Sequence, residues 1–490
     1  MNLESPDVNQ YANALNRRGA GDGHPMTTMS AQITETICPE SCPHNKIRAE
    51  IEINQHYTYK IYTPGSLISG HVTISTPSDV LFHNIDILFV GSAATRNVVQ
   101  PDPVCATKSF LKLCMPIDEA SFPTGHLFKA GKMYTIPFHF VVPAQLLMGS
   151  CRHRCQNAAV QERHLRLPPS MGFCPGDDQS PDGARIVYSI IAVGTRHVLE
   201  PPIPVRLFAA YKTIRILPIS PEDAPLDIAA DNRRYVLCKT QCLWKAFFTG
   251  REGILTASAS QPKAVMLSPD ETGASWSLVR LKLVFAPDSS LYSPPRIKSV
   301  SGKIIATTFF NISPLNRLPS VETWGRSEDQ PFQHTTSSRL FDEQAEGLVW
   351  TKDADAAELE RRRASYPLDP SHTLNRPDEI LTRHRTDEDG GARPSMCFTS
   401  AMDIQFSIPG DKSIFFPPSF DSCLISRVYT LRLTISLGAA HTNLVLKLPL
   451  QIGVQGATPD AFRAGDGGSE SQRIRAAACY NVLPEYSSIF

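Results

Sequence analysis

Apolar residues recur at every second position in one short run after another, and a turn-forming segment follows most runs. Ile51 and Ile53, then Tyr57, Tyr59 and Ile61, then Val72 and Ile74 alternate with more polar neighbours. Ile85, Ile87 and Phe89 do the same, as do Tyr134, Ile136, Phe138 and Phe140. A period of two sets such residues on one face of a half-buried strand; a helix would need spacings of three and four. Thr63-Pro64-Gly65 and Thr76-Pro77-Ser78-Asp79 supply turns between the runs, and Pro143 ends the last. Residues 186–193 are apolar on both faces and read as a central strand, and 209–217 closes the set. Many short strands with no amphipathic helix between them predict an antiparallel β-sandwich.

A second set begins after a Pro- and Asp-containing linker at 218–232. Its strands are expected at 235–242, 264–267, 277–285, 297–310, 401–408, 428–437 and 444–454. In the last, Leu444, Leu446, Leu448, Leu450 and Ile452 share one face, and Pro449 marks an edge strand or a bulge. Between 319 and 399 charged residues, Ser, Thr and Pro dominate and no strand is expected, so this reads as a disordered polar insertion. The organisation predicted is a disordered tail at 1–45, a first domain at 46–217, a linker and second domain at 218–455 interrupted by the insertion, and a loose tail at 456–490. A chain of 490 residues exceeds one ordinary core, which agrees with two folded units.

The 48 basic and 48 acidic residues cancel, so no global field would draw the chain to nucleic acid or anionic lipid. No signal-like N-terminus and no run of 18 apolar residues is found, and the chain is expected to be neither secreted nor membrane-spanning. The twelve cysteines are therefore expected as reduced thiols. Three pairs have the spacing C-x-x-x-C: Cys38 with Cys42, Cys151 with Cys155, and Cys238 with Cys242. Cys151, His153, Cys155 and His164 have the chemistry of four metal ligands, but they lack the usual paired spacing. Cysteines commonly serve as small core residues, so no metal and no cofactor is expected. No nucleophile elbow, phosphate loop, H-E-x-x-H pair or strand-bound dinucleotide fingerprint occurs, and no catalytic residue is assigned.

Four stretches carry a resemblance. They are Tyr62-Thr-Pro-Gly-Ser-Leu-Ile-Ser-Gly-His-Val-Thr-Ile, Phe138-His-Phe-Val-Val-Pro, His164-Leu-Arg-Leu-Pro-Pro-Ser and Ser422-Cys-Leu-Ile-Ser-Arg-Val-Tyr-Thr-Leu. In this order they resemble the fungal arrestin-related proteins, the α-arrestin branch, over roughly residues 46–318 and 398–455. The resemblance implies two tandem arrestin-like sandwiches of immunoglobulin type without an active site. It also implies a cytoplasmic adaptor, recruited peripherally to the plasma membrane or endosomes, that links the cytosolic tails of transporters or receptors to ubiquitylation and endocytosis. The same fold in a signalling or endosomal sorting scaffold without a ligase is the alternative. Arg251, Lys263, Lys298 and Lys303 are candidate cargo contacts, each of which also reads as a solvated surface charge.

Two short motifs name partners. Leu483-Pro484-Glu485-Tyr486 has the form of a WW-domain ligand: Leu483 and Pro484 extend the chain into an aromatic groove and Tyr486 fills a neighbouring pocket. A HECT-type ubiquitin ligase with WW domains is the expected partner, and a single motif would depend on avidity. The second motif is Arg361-Arg362-Arg363-Ala364-Ser365-Tyr366-Pro367. Phosphorylation of Ser365, with Arg362 three before and Pro367 two after, would create a 14-3-3 ligand. The stretch 353–363 also reads as a solvated charged helix, with Glu358 and Arg362 a favourable pair.

Overall fold

The computed structural model describes residues 47–96, 104–172, 178–198, 203–228, 232, 234–244, 250–269, 273–319, 332–345, 348–353, 397–408, 414–438, 443–456 and 487–488. The protein is an all-β sandwich fold with one α-helix among the described residues. In the N-terminal half, β1 (Arg48–Ile53), β3 (Leu67–Ser75) and β8 (Met133–Val141) form an antiparallel sheet. Facing it is a six-stranded sheet in the order β2 (Ile61–Tyr62), β10 (Ile203–Ile216), β9 (Ala184–Val198), β5 (Asn84–Arg96), β6 (Cys105–Cys114) and β23 (Ser487–Ser488). A small ribbon pairs β4 (Val80–Leu81) with β7 (Leu127–Phe128).

The alternation explains the packing. Val72, Ile74, Ile136, Phe138 and Phe140 of the first sheet and Ile85, Ile87, Phe89, Ile186 and Ile190 of the second bury in one apolar cluster. β9 lies between β10 and β5, and its residues 184–192 are buried at consecutive positions, so both faces are covered and both are mostly apolar.

In the C-terminal half one sheet runs β11 (Cys238–Trp244), β12 (Arg251–Ala259), β14 (Ser277–Pro287), β18 (Cys397–Phe406) and β17 (Thr351–Asp353). The facing sheet runs β16 (Phe332–Gln344), β15 (Ile297–Phe310), β20 (Ile425–Leu437) and β19 (Phe420–Asp421), with β21 (Asn443–Leu450) also paired to β20. β13 (Val265–Leu267) pairs in parallel with β22 (Ile452–Val454). Leu255, Val279, Leu281, Leu283, Leu431, Leu433, Leu446 and Leu448 fill a second cluster. Phe310, Leu424 and Ile425 of this half pack into the first cluster, so the two cores meet along a shared seam.

Several expectations need correction. Tyr57 and Tyr59 are 64% and 65% exposed and belong to a turn closed by the Lys60 N–H donating to the Tyr57 carbonyl at 2.9 Å, just after a turn in which Gln55 takes a left-handed φ of 52°. The insertion expected at 319–399 without strands contains β16 and β17. β16 is an outer strand of mostly Thr, Ser, His and Gln in its first half; it pairs with β15 through its backbone and shows little apolar alternation. β6 and β12 were not expected, and the last strand breaks at Gln451 into β21 and β22. The α-helix α1 (Ala158–Leu165) was not expected either. The tail at 1–45 and most of the tail at 456–490 lie outside the described residues.

Candidate functional site

The described surface feature with the densest chemistry is the loop that leads into α1. A short 3-10 turn, Met148–Ser150, delivers Cys151, and the Ser150 hydroxyl donates to the Phe110 carbonyl at 2.7 Å, tying the loop to β6. Asn157 caps α1 by accepting from the Val160 N–H at 2.9 Å. Val160 and His164, four residues apart, then form the buried face of the helix. Arg166-Leu167-Pro168 ends the helix and leads the chain back to the six-stranded sheet, where Tyr188 donates to the Pro168 carbonyl at 2.6 Å.

This local folding brings Cys151, His153, Cys155 and His164 together, with one ligand-type atom from each lying within 4.8 Å of every other. Cys151 and His164 are buried, at 3% and 2% exposure. The Cys151 and Cys155 sulfurs are 3.6 Å apart. His164 Nδ1 is 3.8 Å from each sulfur, and His153 Nδ1 is 3.7 Å from Cys151 Sγ. His153 Nε2 lies 3.6 Å from Cys155 Sγ and donates to the Leu315 carbonyl at 3.0 Å. That bond assigns the proton to Nε2 and leaves the Nδ1 lone pair facing the sulfurs.

Burial dominates the electrostatics. It pushes the Cys151 thiol up to about 12, with further contributions from Cys423 and Cys155. It also lowers His164 to about 4, helped by neighbouring His153, and lowers His153. Both imidazoles are therefore neutral at neutral pH and keep a lone pair for a cation.

The other face of α1 looks into a groove of about 470 Å³ between the two halves. Arg163 pairs with Asp421 at 3.1 Å and with Asp223 at 3.3 Å, and Arg166 pairs with Asp223 at 3.0 Å. Arg163 and Arg166 are thus held by carboxylates within the groove, and Arg234 and Arg427 line it as well.

No protein-family model and no curated protein matches the chain. The reading of function consequently rests on its own residues.

Of the residues singled out by sequence, Leu483, Pro484 and Tyr486 lie outside the described residues, as do Arg362, Ser365 and Pro367. The two residues that follow the Leu-Pro-Glu-Tyr stretch do pair with β6: Ser487 is opposite Cys114 and Ser488 opposite Leu113. Arg251 is held by the Asp288 carboxylate, with Nη2 donating to Oδ1 at 2.9 Å. The four-residue cluster was visible in the sequence only as a set of suitable residue types; what assembles it is the turn before Cys151 and the Asn157-capped helix.

A second feature that sequence reasoning missed is Arg427 of β20, wholly buried at the seam. Its Nη1 and Nη2 each donate to the Asp178 carbonyl at 3.3 Å, and Nη2 also donates to the Gln179 carbonyl at 3.2 Å and to Ser180 Oγ at 3.3 Å. Asp178 in turn accepts from the Gly172 and Ser180 backbone N–H groups. One side chain from the C-terminal half thus organises a loop of the N-terminal half.

Proposed function

We propose that the protein is a non-enzymatic adaptor of the arrestin type, with two tandem sandwiches that engage the cytosolic tail of a membrane protein while the C-terminal motif recruits a WW-domain HECT-type ubiquitin ligase. The observation that carries this reading is Leu483-Pro484-Glu485-Tyr486, in which a Pro pre-extends the chain and an aromatic follows at the spacing a WW groove accepts. One support stands beside it. The fold is all-β with two large core clusters, which accords with what the resemblance implies. Recruitment from the cytoplasm to the plasma membrane or endosomes follows from that role, and ubiquitin-dependent endocytosis and sorting of the cargo is its outcome.

Regulation in this reading falls to Ser365. Once phosphorylated, it forms with Arg362 and Pro367 a 14-3-3 ligand that keeps the adaptor idle. A phosphopeptide spanning the site should bind 14-3-3 and its Ser365→Ala counterpart should not; equal binding of the unphosphorylated peptide would remove this element.

Capture of a WW-domain ligase by the full chain tests the main reading. Tyr486→Ala should reduce capture by roughly tenfold or more, since the emptied pocket carries much of the recognition. Undiminished capture would remove the ligase and leave the arrestin-fold scaffold as the reading.

A further inference from the structure

We propose that Cys151, His153, Cys155 and His164 hold one zinc ion in a closed structural centre that fixes the seam between the two halves of the molecule.

The geometry is the first argument. Zn–S bonds of about 2.3 Å and Zn–N bonds of about 2.0–2.1 Å, at tetrahedral angles, set two thiolates about 3.8 Å apart and a thiolate about 3.6 Å from an imidazole nitrogen. The sulfur–sulfur distance here is 3.6 Å, and three of the four sulfur–Nδ1 distances are 3.7, 3.8 and 3.8 Å. These four distances match edges of one coordination tetrahedron, and all four ligand-type atoms lie within 4.8 Å of one another. A Cys151–Cys155 disulfide would instead need the sulfurs at about 2.05 Å.

The chemistry of the donors is the second. Two thiolates and two imidazoles in a tetrahedron favour zinc over harder divalent ions, which take oxygen ligands. The two thiolate charges neutralise the dication, so a buried centre carries no net charge. Four protein ligands leave no open position, which is the arrangement of a structural site. His153 has the outer partner that ligating histidines usually have, a carbonyl that accepts from the nitrogen away from the metal.

The third argument is what the loop touches. The Gln156 N–H donates to the Asn316 carbonyl at 2.7 Å, and His153 holds Leu315, whose own N–H donates to the Cys423 carbonyl at 2.7 Å. Asp421, two residues before Cys423, accepts from Arg163 of α1. An ion that fixes the 151–164 loop therefore fixes the segment after β15 and the turn before β20 as well. The Cys423 thiol lies beside Cys151 but is outside the set of four.

Metal analysis of the full chain, expressed with zinc in the medium and purified under reducing conditions, is the test. About one zinc per chain is expected. A folded, cooperatively melting sample with less than about a tenth of an equivalent would overturn the proposal. Cobalt exchanged into the site should give the visible bands of a tetrahedral ion and the near-ultraviolet charge transfer of two thiolates. The Cys151→Ser, Cys155→Ser double variant should lose both the zinc and the charge transfer, whereas Cys238→Ser with Cys242→Ser, and Cys423→Ala, should keep them. Stoichiometric zinc in the first double variant, or loss of zinc in Cys423→Ala, would contradict the ligand set. If the first double variant does not fold, His153→Cys decides. It preserves four ligands, should retain zinc, and should raise the cobalt charge transfer about 1.5-fold as thiolates go from two to three; unchanged intensity would place the ion elsewhere.

Discussion

Arg427 shows how a single charge is accommodated where water is excluded. A guanidinium presents several donors in a fixed plane, and here carbonyl and hydroxyl oxygens of residues 178–180 accept from it. Arg427→Met would keep the volume but strand those carbonyls in a dry seam, and a loss of about 2–4 kcal/mol is expected. Arg427→Lys should recover only part of it, because one ammonium cannot span the same acceptors. Urea unfolding midpoints at unchanged slope measure both; a Met variant as stable as the parent would show that the buried charge contributes nothing. Phe138 and Leu448, 2% and 0% exposed, sit in the two separate clusters. Aspartate at either position should abolish the cooperative melt of its half, since an unpaired buried carboxylate costs several kcal/mol against a marginal total. A parental melting curve in either variant would refute the facing assigned to that residue.

At the scale of elements, α1 is small and consequential. Its eight residues bury only Val160 and His164, too little to sustain an isolated helix, so capping and neighbours must hold it. Asn157→Ala removes the side-chain cap and is expected to cost about 1 kcal/mol. The effect should appear as faster amide exchange in α1 and as a lowered melting temperature, and exchange at parental rates would mean that the tertiary contacts alone define the helix. The same shortness explains why α1 was not legible: two turns with one aliphatic and one histidine inward give no visible 3.6-residue period. The long strands were legible for the opposite reason. β8 and β21 put branched or aromatic residues on one face at every second position, and β15 matches its expected bounds to the residue. β16 failed because an outer strand can be built from Thr and Ser through backbone pairing alone, without the apolar alternation that marks a buried face. The four residues of the cluster at 151–164 were legible as ligand types but their assembly was not, because it depends on that unseen helix; spacing along the chain says nothing of His164 facing back toward Cys151.

At the scale of the whole molecule, two apolar cores meet at a seam held by three kinds of contact: side chains such as Phe310 and Ile425 that enter the first core, the buried Arg427, and the α1 loop with its ion pairs to Asp421 and Asp223. Such a seam gives the two pairs of sheets a defined relative placement. Among the described residues no helix is long and apolar enough to cross a membrane. The central claim is that one chain joins a membrane protein to a ubiquitin ligase, and proximity labelling in cells with the intact chain and with Tyr486→Ala tests it most directly. The intact chain should label both a WW-domain ligase and one or more plasma-membrane transporters or receptors, and Tyr486→Ala should lose the ligase while keeping the membrane proteins. Identical neighbours for the two chains, or no membrane protein with either, would contradict it.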